Sequence, residues 1–269
     1  MINDEALTIR VERAIATERS SFADGMAAAH PASQACWLAV GGGRAVFTGR
    51  GFFSNRVLGM GVGCSVSEGD IEQVEDFYAG RGLQPSIEIA STVDRSFIDL
   101  LVRRGYRMVR FHNIYAQLLP APIEAHHERG TAEIYEVSDD AATLLWSTVL
   151  LDGFGYTEEA DRERVSCWNS MLRCLPNLSP FLANIDDQPV GSASVLLVGD
   201  SAVLGGATTL PAFRRRGVQQ ALIRARLALA ARAGCTLAVV TADPGSTSGR
   251  NAERTGFRLL NTHVAMRKG

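Results

Sequence analysis

Pro211-Ala212-Phe213-Arg214-Arg215-Arg216-Gly217-Val218-Gln219-Gln220-Ala221-Leu222 joins an apolar, strand-like run (Ala202 to Leu210) to a long helical pattern. Pro211 ends the run, three arginines and a glycine come next, and the helix then begins. The stretch predicts a helix N-terminus wrapped in positive charge. Such a terminus binds phosphate or pyrophosphate, because first-turn N–H groups lack intrahelical partners and the helix dipole adds about half a positive charge there. Gly217 lets the backbone approach a ligand without a Cβ in the way. Taken alone, the stretch also fits an ordinary solvated, arginine-rich helix start.

The chain downstream of Gly217 narrows the possibilities. Val218 to Ala233 predicts a helix of about four turns, closed by Gly234. Leu237 to Thr241 predicts a strand. Asp243 to Ser248 predicts a polar loop, about 249–255 a short helix, and Gly256-Phe257 opens a last strand through Met266. This order resembles the GNAT superfamily of acyl-CoA N-acyltransferases. Arg214-x-x-Gly217-x-Gln219 is similar to that family's Arg/Gln-x-x-Gly-x-Gly/Ala pyrophosphate motif, with Gln219 in place of the last small residue. Gly256-Phe257 is similar to the Gly-Phe that ends its short fourth helix. The resemblance covers about Ala132 to Lys268. Gly-x-Gly-x-x-Gly and the Gly-Lys-Ser/Thr ending are both absent, which excludes Rossmann and Walker-type sites.

The resemblance implies acetyl-CoA as cosubstrate. Its pyrophosphate would lie on Arg214, Arg215, Arg216, Gly217, Val218, Gln219 and Gln220. Its pantetheine arm would pair with main-chain groups of Ala207, Thr208, Thr209 and Leu210, where the strand splays from its neighbour. The implied chemistry is direct attack of an amine on the thioester, with a backbone N–H near Ala207 for the oxyanion. Strand 202–210 carries no Asp or Glu to act as base. The family's tyrosine acid, four residues before the Gly of Gly-Phe, falls here on Ala252. Asn251 and Ser248 are candidates for hydrogen bonds to the cofactor, against simple solvation and helix N-capping respectively. Asp152-Gly153-Phe154-Gly155-Tyr156 lies between two expected helices, where the family's acceptor site usually is. Asp152 is a candidate base and Tyr156 a candidate acid or pocket wall, set against a helix-ending loop with a capping Asp. His263 reads as a packed or surface histidine, and Trp146 and Trp168 read as core.

The totals set limits. The chain has 269 residues, 46% of them hydrophobic, and a net charge of −2. One large or two ordinary domains fit this length. The charge gives no global attraction to nucleic acid or an anionic membrane. No apolar run approaches the ~20 residues of a membrane span. Five cysteines without a Cys-x-x-Cys pair point to a reduced, cytoplasmic setting and away from a thiolate metal site. No metal is expected.

The chain also repeats itself. Arg104-Gly105-Tyr106-Arg107-Met108-Val109 parallels Thr255-Gly256-Phe257-Arg258-Leu259-Leu260, and His112 then falls on His263. The expected fold is mixed α+β: two GNAT-like halves, each a mostly antiparallel mixed sheet flanked by helices. Residues 1–118 form a degenerate half, 119–130 a Pro-bearing linker, and 131–269 the half with the CoA site. Where the second half has three arginines, the first has Ser67-Glu68-Gly69-Asp70. Acidic residues cap a helix well but repel a pyrophosphate, so one CoA site per chain is expected. The function expected from the resemblance is N-acetylation of a small, amino-acid-like amine. A non-catalytic acyl-CoA sensor and a protein or peptide N-acetyltransferase are the alternatives. A homodimer is compatible with this plan.

Overall fold

In the computed structural model, which describes residues 5–119, 132–156 and 158–268, tight two-residue turns set the antiparallel ladders. Strand β1 (Cys36–Val40) turns through Gly41 and Gly42, both at positive φ, into β2 (Gly43–Phe47). After β6 (Glu133–Glu136), β7 (Leu178–Ile185) turns through Asp186 and Asp187, again both at positive φ, into β8 (Gln188–Val198). Paired positive φ matches the right-handed strand twist, which explains the Gly and Asp residues found there. A third two-residue turn, Gly199-Asp200, leads into β9 (Ser201–Thr209).

The helices start at side-chain caps. After α1 (Glu5–Ala29) and β3 (Arg56–Leu58), α2 (Glu68–Ala79) begins with a capping box between Ser67 and Asp70. β4 (Ser86–Ala90) leads to α3 (Arg95–Arg103), where the Asp94 carboxylate accepts from Ser96 N at 2.7 Å. β5 (Tyr106–Leu118) comes next. Asp139 caps α4 (Asp140–Phe154) by accepting from Ala142 N at 2.8 Å. After α5 (Glu159–Leu172) come α6 (Val218–Arg232), β10 (Leu237–Ala242), α7 (Thr247–Arg254) and β11 (Arg258–Lys268). The architecture is a mixed sheet flanked by helices. No helix among the described residues is long and apolar enough to cross a membrane.

Two compact units emerge, and they are not contiguous in sequence. The first runs to Ile114 and adds Ala242–Pro244 and the chain from Leu259 onward; the second holds Tyr115–Thr241 and Gly245–Arg258. Strand order in the first is β1-β2-β3-β4-β11-β5. Strand β11 pairs antiparallel with β4, from His263↔Ala90 to Arg267↔Ser86. Met266 is buried in the same core as Ile71, Tyr78, Ile87, Phe97 and Leu101. In the second unit β10-β9-β8-β7-β6 lie side by side in that order, with the end of β5 beside β10.

This differs from the expected 1–118, 119–130 and 131–269. The last strand, expected in the second half, belongs to the first unit. Leu119, expected to begin the linker, is buried, and its N–H donates to Thr236 O at 2.9 Å within the second unit. Residues 120–131, including His126-His127, lie outside the described residues. The physical reason for the difference is that ladder hydrogen bonds join main-chain groups. A strand's sequence therefore carries no address for its partner.

The first unit buries a chain of charges. His263, on β11, is fully buried, with its Nε2 2.7 Å from Glu12 Oε1 on α1, and Asn261 Nδ2 donates to the same oxygen at 3.2 Å. His263 Nδ1 lies 3.9 Å from Glu88 Oε2, and His112 Nε2 lies 3.6 Å from Glu88 Oε1. Arg56 pairs with the same carboxylate, and Asp243 lies 3.4 Å from His112 Nδ1. His112 and His263, related by the internal repeat, thus converge on one glutamate. Burial alone would raise the Glu88 carboxyl, but the imidazolium of His263 and the guanidinium of Arg56 outweigh it and hold it at about 2. Burial alone would lower His263, but Glu12 and Glu88 outweigh it and raise it to about 9.

That shift gives a signed pH dependence. Because His263 is raised above its unfolded value of about 6.5, its stabilisation is complete below pH 6.5 and is lost as pH rises through about 9. Melting temperature measured against pH on wild type and His263→Gln should show a wild-type decline across that window that the variant lacks. Parallel profiles would contradict the charged Glu12–His263 pair.

Candidate functional site

The second unit is organised around the end of β9. On one side β9 pairs with β8 from Ser201↔Val198 to Thr209↔Gly191. On the other it pairs parallel with β10, but the register runs only from Ser201↔Leu237 to Leu204↔Val240. Beyond Leu204 the two strands part while β9 continues to Thr209. The β8 ladder shifts register at the same place, between Ser192↔Thr208 and Ser194↔Gly205, and Gly206 takes φ +55°. A β-bulge of this kind bends its strand and re-aims the groups beyond it. Ala207, Thr209 and Leu210 are half-buried along the parted edge, and Thr208 is buried.

Leu210 leads into a short 3₁₀ turn, Pro211–Phe213, and then into the arginines. Arg214 is extended, Arg215 has φ +65°, and Gly217 has φ +78° and stands as the N-cap of α6 without a side-chain cap bond. The signs of φ alternate over 215–217. That alternation turns successive N–H groups toward one side, a backbone geometry suited to an anion. Arg214, Arg215, Arg216 and Gly217 line the start of the helix, and a Cβ placed on Gly217 would meet no atom within 4 Å. Val218 is buried as the first core residue of α6; Gln219 and Gln220 are half-buried. The Arg214 guanidinium reaches back, donating from Nε to Thr209 O at 3.3 Å and from Nη2 to Gly153 O at 3.4 Å. Arg216 lies over the Phe213 ring at 5.2 Å.

Asp152 to Tyr156 corrects a sequence expectation. Asp152, Gly153 and Phe154 are the last turn of α4 and not a loop, and the helix is closed by Gly155 at φ +77°. Asp152 therefore caps nothing, and a carboxylate in a last turn sits at the unfavourable end of the dipole. Asp152 and Tyr156 are both exposed. Gly153 is the contact point of α4 with β9, since a Cβ there would lie 2.2 Å from Thr208 Oγ1. The turn bearing Asp152 and Tyr156 is thus held against the parted end of β9. Trp146 is fully buried, donating from Nε1 to Ala193 O at 2.8 Å, whereas Trp168 is only half-buried.

On α7 the N-cap is Ser246, whose hydroxyl accepts from Gly249 N at 3.1 Å. The capping role weighed for Ser248 therefore falls on Ser246, and Ser248 is an exposed residue of the first turn. Asn251 is half-buried; Ala252 is buried, so the position has no room for a tyrosine ring. Beneath α7 runs the end of β5, and Tyr115 lies so near Gly249 that a Cβ there would fall 2.8 Å from its hydroxyl.

Sequence reasoning missed Arg226. It lies in the apolar stripe of α6 with Leu222, Ile223, Leu227 and Ala230, and this break in the pattern was the available signal. Its guanidinium is buried and makes no ion pair with a carboxylate among the described residues. Burial pushes its pKa down to about 9, which leaves it charged at pH 7. A cleft of about 590 Å³ in the first unit, lined by Ile9, Glu12, Trp37, Gly42, Arg44 and Cys64 among others, contains none of the site residues expected from sequence. Among the described residues no group of His, Cys, Asp or Glu has the arrangement of a metal site.

The Gly153 contact is testable. Gly153→Ala should destabilise the protein by ~1–3 kcal/mol through overpacking. Adding Thr208→Ala, which removes the opposing hydroxyl and methyl, should recover much of that loss in a double-mutant cycle by thermal or urea unfolding. Additive losses would show that the two residues do not meet.

Comparison with known proteins agrees with this geometry. Residues 133–257 match the family model of the acetyltransferase (GNAT) family. No curated protein matches the sequence. A GCN5-related N-acetyltransferase from Kribbella flavida superposes with a TM-score of 0.67 at 18% identity, over 90% of this chain and 93% of that one. A tandem GNAT protein from the clavulanic acid biosynthesis pathway superposes with a TM-score of 0.58 at 11% identity, over 84% and 78%. A GCN5-related N-acetyltransferase from Sphaerobacter thermophilus gives 0.56 at 18%, over 74% and 66%. At such identities the structures speak for fold alone. Residues 133–257 therefore match a domain of the acetyltransferase (GNAT) family, and the superpositions show that the chain has the fold of these proteins.

Proposed function

We propose that the protein transfers an acetyl group from acetyl-CoA to the amine of a small metabolite or amino-acid-like acceptor, by direct attack within a ternary complex. The observation that carries the proposal is the parting of β9 from β10 after Leu204↔Val240, directly upstream of an uncapped helix N-terminus with alternating φ signs and three arginines. The residues present fit the cosubstrate. Its pyrophosphate suits the concavity of Arg214 to Gly217 and the first-turn N–H groups of Val218, Gln219 and Gln220. Its pantetheine amides suit the main-chain groups of Ala207 to Leu210, and Asn251 and Ser248 on α7 offer further polar contacts. Only one such terminus is proposed per chain. At the matching place in the first unit, α2 is closed by the Ser67–Asp70 box, whose carboxyl is held below its ordinary value by the hydrogen bond from Ser67.

The chemistry makes two demands. A lysine-like amine at pH 7 sits about 3.4 pK units below its pKa, a cost of ~4.6 kcal/mol for the neutral nucleophile. Once its nitrogen has attacked, the former carbonyl oxygen carries negative charge, and one N–H donor there contributes ~3–4 kcal/mol. Collapse then breaks the C–S bond. The ammonium proton leaves to a base, and the CoA thiolate takes up a proton. Asp152 is the proposed base and Tyr156 the proposed acid or acceptor wall, because α4 holds both against the parted strand end through Gly153. The absence of any carboxylate on β9, with Ala252 in the tyrosine position, favours one second reading: a protein that binds acyl-CoA without turnover.

Isothermal titration should give one CoA per chain. Gly217→Glu places a carboxylate where the pyrophosphate belongs and should weaken CoA at least ~100-fold without loss of folding. Arg214→Ala should cost ~10-fold or less, since backbone N–H groups carry much of the contact. Undiminished affinity in folded Gly217→Glu would refute the phosphate site. A screen of small amines with acetyl-CoA, read by thiol release, separates enzyme from sensor. CoA binding without thiol release from any amine would favour the sensor.

A further inference from the structure

We propose that Arg226 is a positioning residue for acyl transfer, acting through the backbone at the point where β9 leaves β10; this rests on the proposed acyl-CoA site. Its Nη1 donates to two carbonyls, Ser194 O at 3.0 Å and Gly205 O at 3.3 Å, and its Nε to Leu222 O at 3.0 Å. Ser194 and Gly205 face each other across β8 and β9 at the register shift. One guanidinium group therefore ties both strands, at one edge of the bulge, to α6, the helix whose N-terminus carries the arginine loop. Gly205 is also the first residue of β9 beyond the last pair with β10.

Three features argue for more than packing. A buried guanidinium that has no carboxylate partner among the described residues is costly, and an apolar side chain would fill this stripe of α6 at less cost. The place it occupies is the one where two consecutive glycines, Gly205 and Gly206, leave the backbone least able to hold its own direction. Finally, Gly205 C=O and Gly206 N–H are the two ends of one planar peptide. A cation donating to the carbonyl fixes the plane of that peptide and polarises it, so that its N–H becomes a stronger donor pointing away from Arg226. A thioester carbonyl lying along the parted edge meets the N–H groups of this segment. Arg226 thereby supplies positive charge to the developing oxyanion without touching it and without placing a second cation in the pocket.

The test uses acetyl-CoA labelled with ¹³C at the thioester carbonyl, so that no acceptor has to be known. Binding to the unaltered protein should move the carbonyl resonance downfield, the signature of a polarised C=O. In Arg226→Met, which keeps an apolar stem of similar length, the shift should fall by half or more while CoA affinity changes less than about three-fold. Arg226→Lys, which keeps the charge and a donor, should restore part of the shift; it also serves if the Met variant does not fold. With an accepted amine, kcat should fall at least about ten-fold in Arg226→Met at nearly constant KM for acetyl-CoA. An unchanged carbonyl shift in a folded Met variant, or in the Lys variant equal to wild type where Met cannot be made, would overturn the role and leave the acyltransferase reading intact. Failure of the unaltered protein to bind acetyl-CoA would overturn that reading, and the role with it.

Discussion

Strand β9 is held on one side along its length and on the other only as far as Leu204. The proposed site depends on this asymmetry. A strand in the middle of a sheet has all its main-chain groups committed to its neighbours. One released on a single edge offers donors and acceptors in a row, already fixed in direction by the partner it keeps. Amides of a flexible chain such as pantetheine can use that row whatever side chains the strand bears. This explains why Ala207 to Leu210 look ordinary as residues and why a site can nonetheless be built on them. The bulge at Ser192–Ser194 and Gly205–Thr208 keeps β8 paired while β9 bends, and Gly206 supplies the positive φ that the bend needs.

Around that edge, each neighbouring element is tied by a contact that tolerates little change. Gly153 admits α4 to within contact of Thr208, and Gly191 admits α6, since a Cβ there would fall 2.7 Å from Val218 Cγ1. Arg214 closes the third side by bonding both the end of β9 and the end of α4. The arginine is thus partly a structural clasp, and it is its neighbours Arg215 and Gly217 that take the positive-φ conformations on which the proposed anion site rests. Such a division of labour within four residues is not visible in the motif itself.

The first unit uses its polar residues differently. Its equivalent helix start is neutralised by its own capping box. Its interior holds Glu12, Glu88, His112 and His263 in one chain of acids and imidazoles. Buried pairs of this kind contribute little net stability over apolar packing, because desolvation consumes most of the Coulombic gain. They do specify geometry. A one-residue slip of β11 against β4 would turn His263 away from Glu12 and Glu88, leaving the buried Glu12 without its imidazolium partner. The cluster therefore penalises wrong register in a strand that local sequence does not direct.

Periodicity, caps and turns are local, and the sequence carried them. The strand from Ala202, the helix from Val218 with Gly217 before it, the acid-capped helix after Ser67 and the Gly-Phe before the last strand are all legible within windows of a few residues. Their order points to the fold family. The internal repeat was legible too, and it placed His112 and His263 at equivalent positions, though not their shared glutamate. What tertiary structure alone decided is every relation between residues far apart in the chain. It placed β11 in the first unit and carried β5 into the second, because hydrogen-bonded ladders join main-chain groups that are alike in all residues. It extended α4 through Asp152 and packed its last turn on β9, where Gly153 leaves room for Thr208, some fifty positions away. It gave Arg226 its partners, which are carbonyl oxygens of Ser194, Gly205 and Leu222 and leave no trace in side-chain identity. Side-chain chemistry can be read along a chain; main-chain groups acquire individual roles only when the fold sets them facing something.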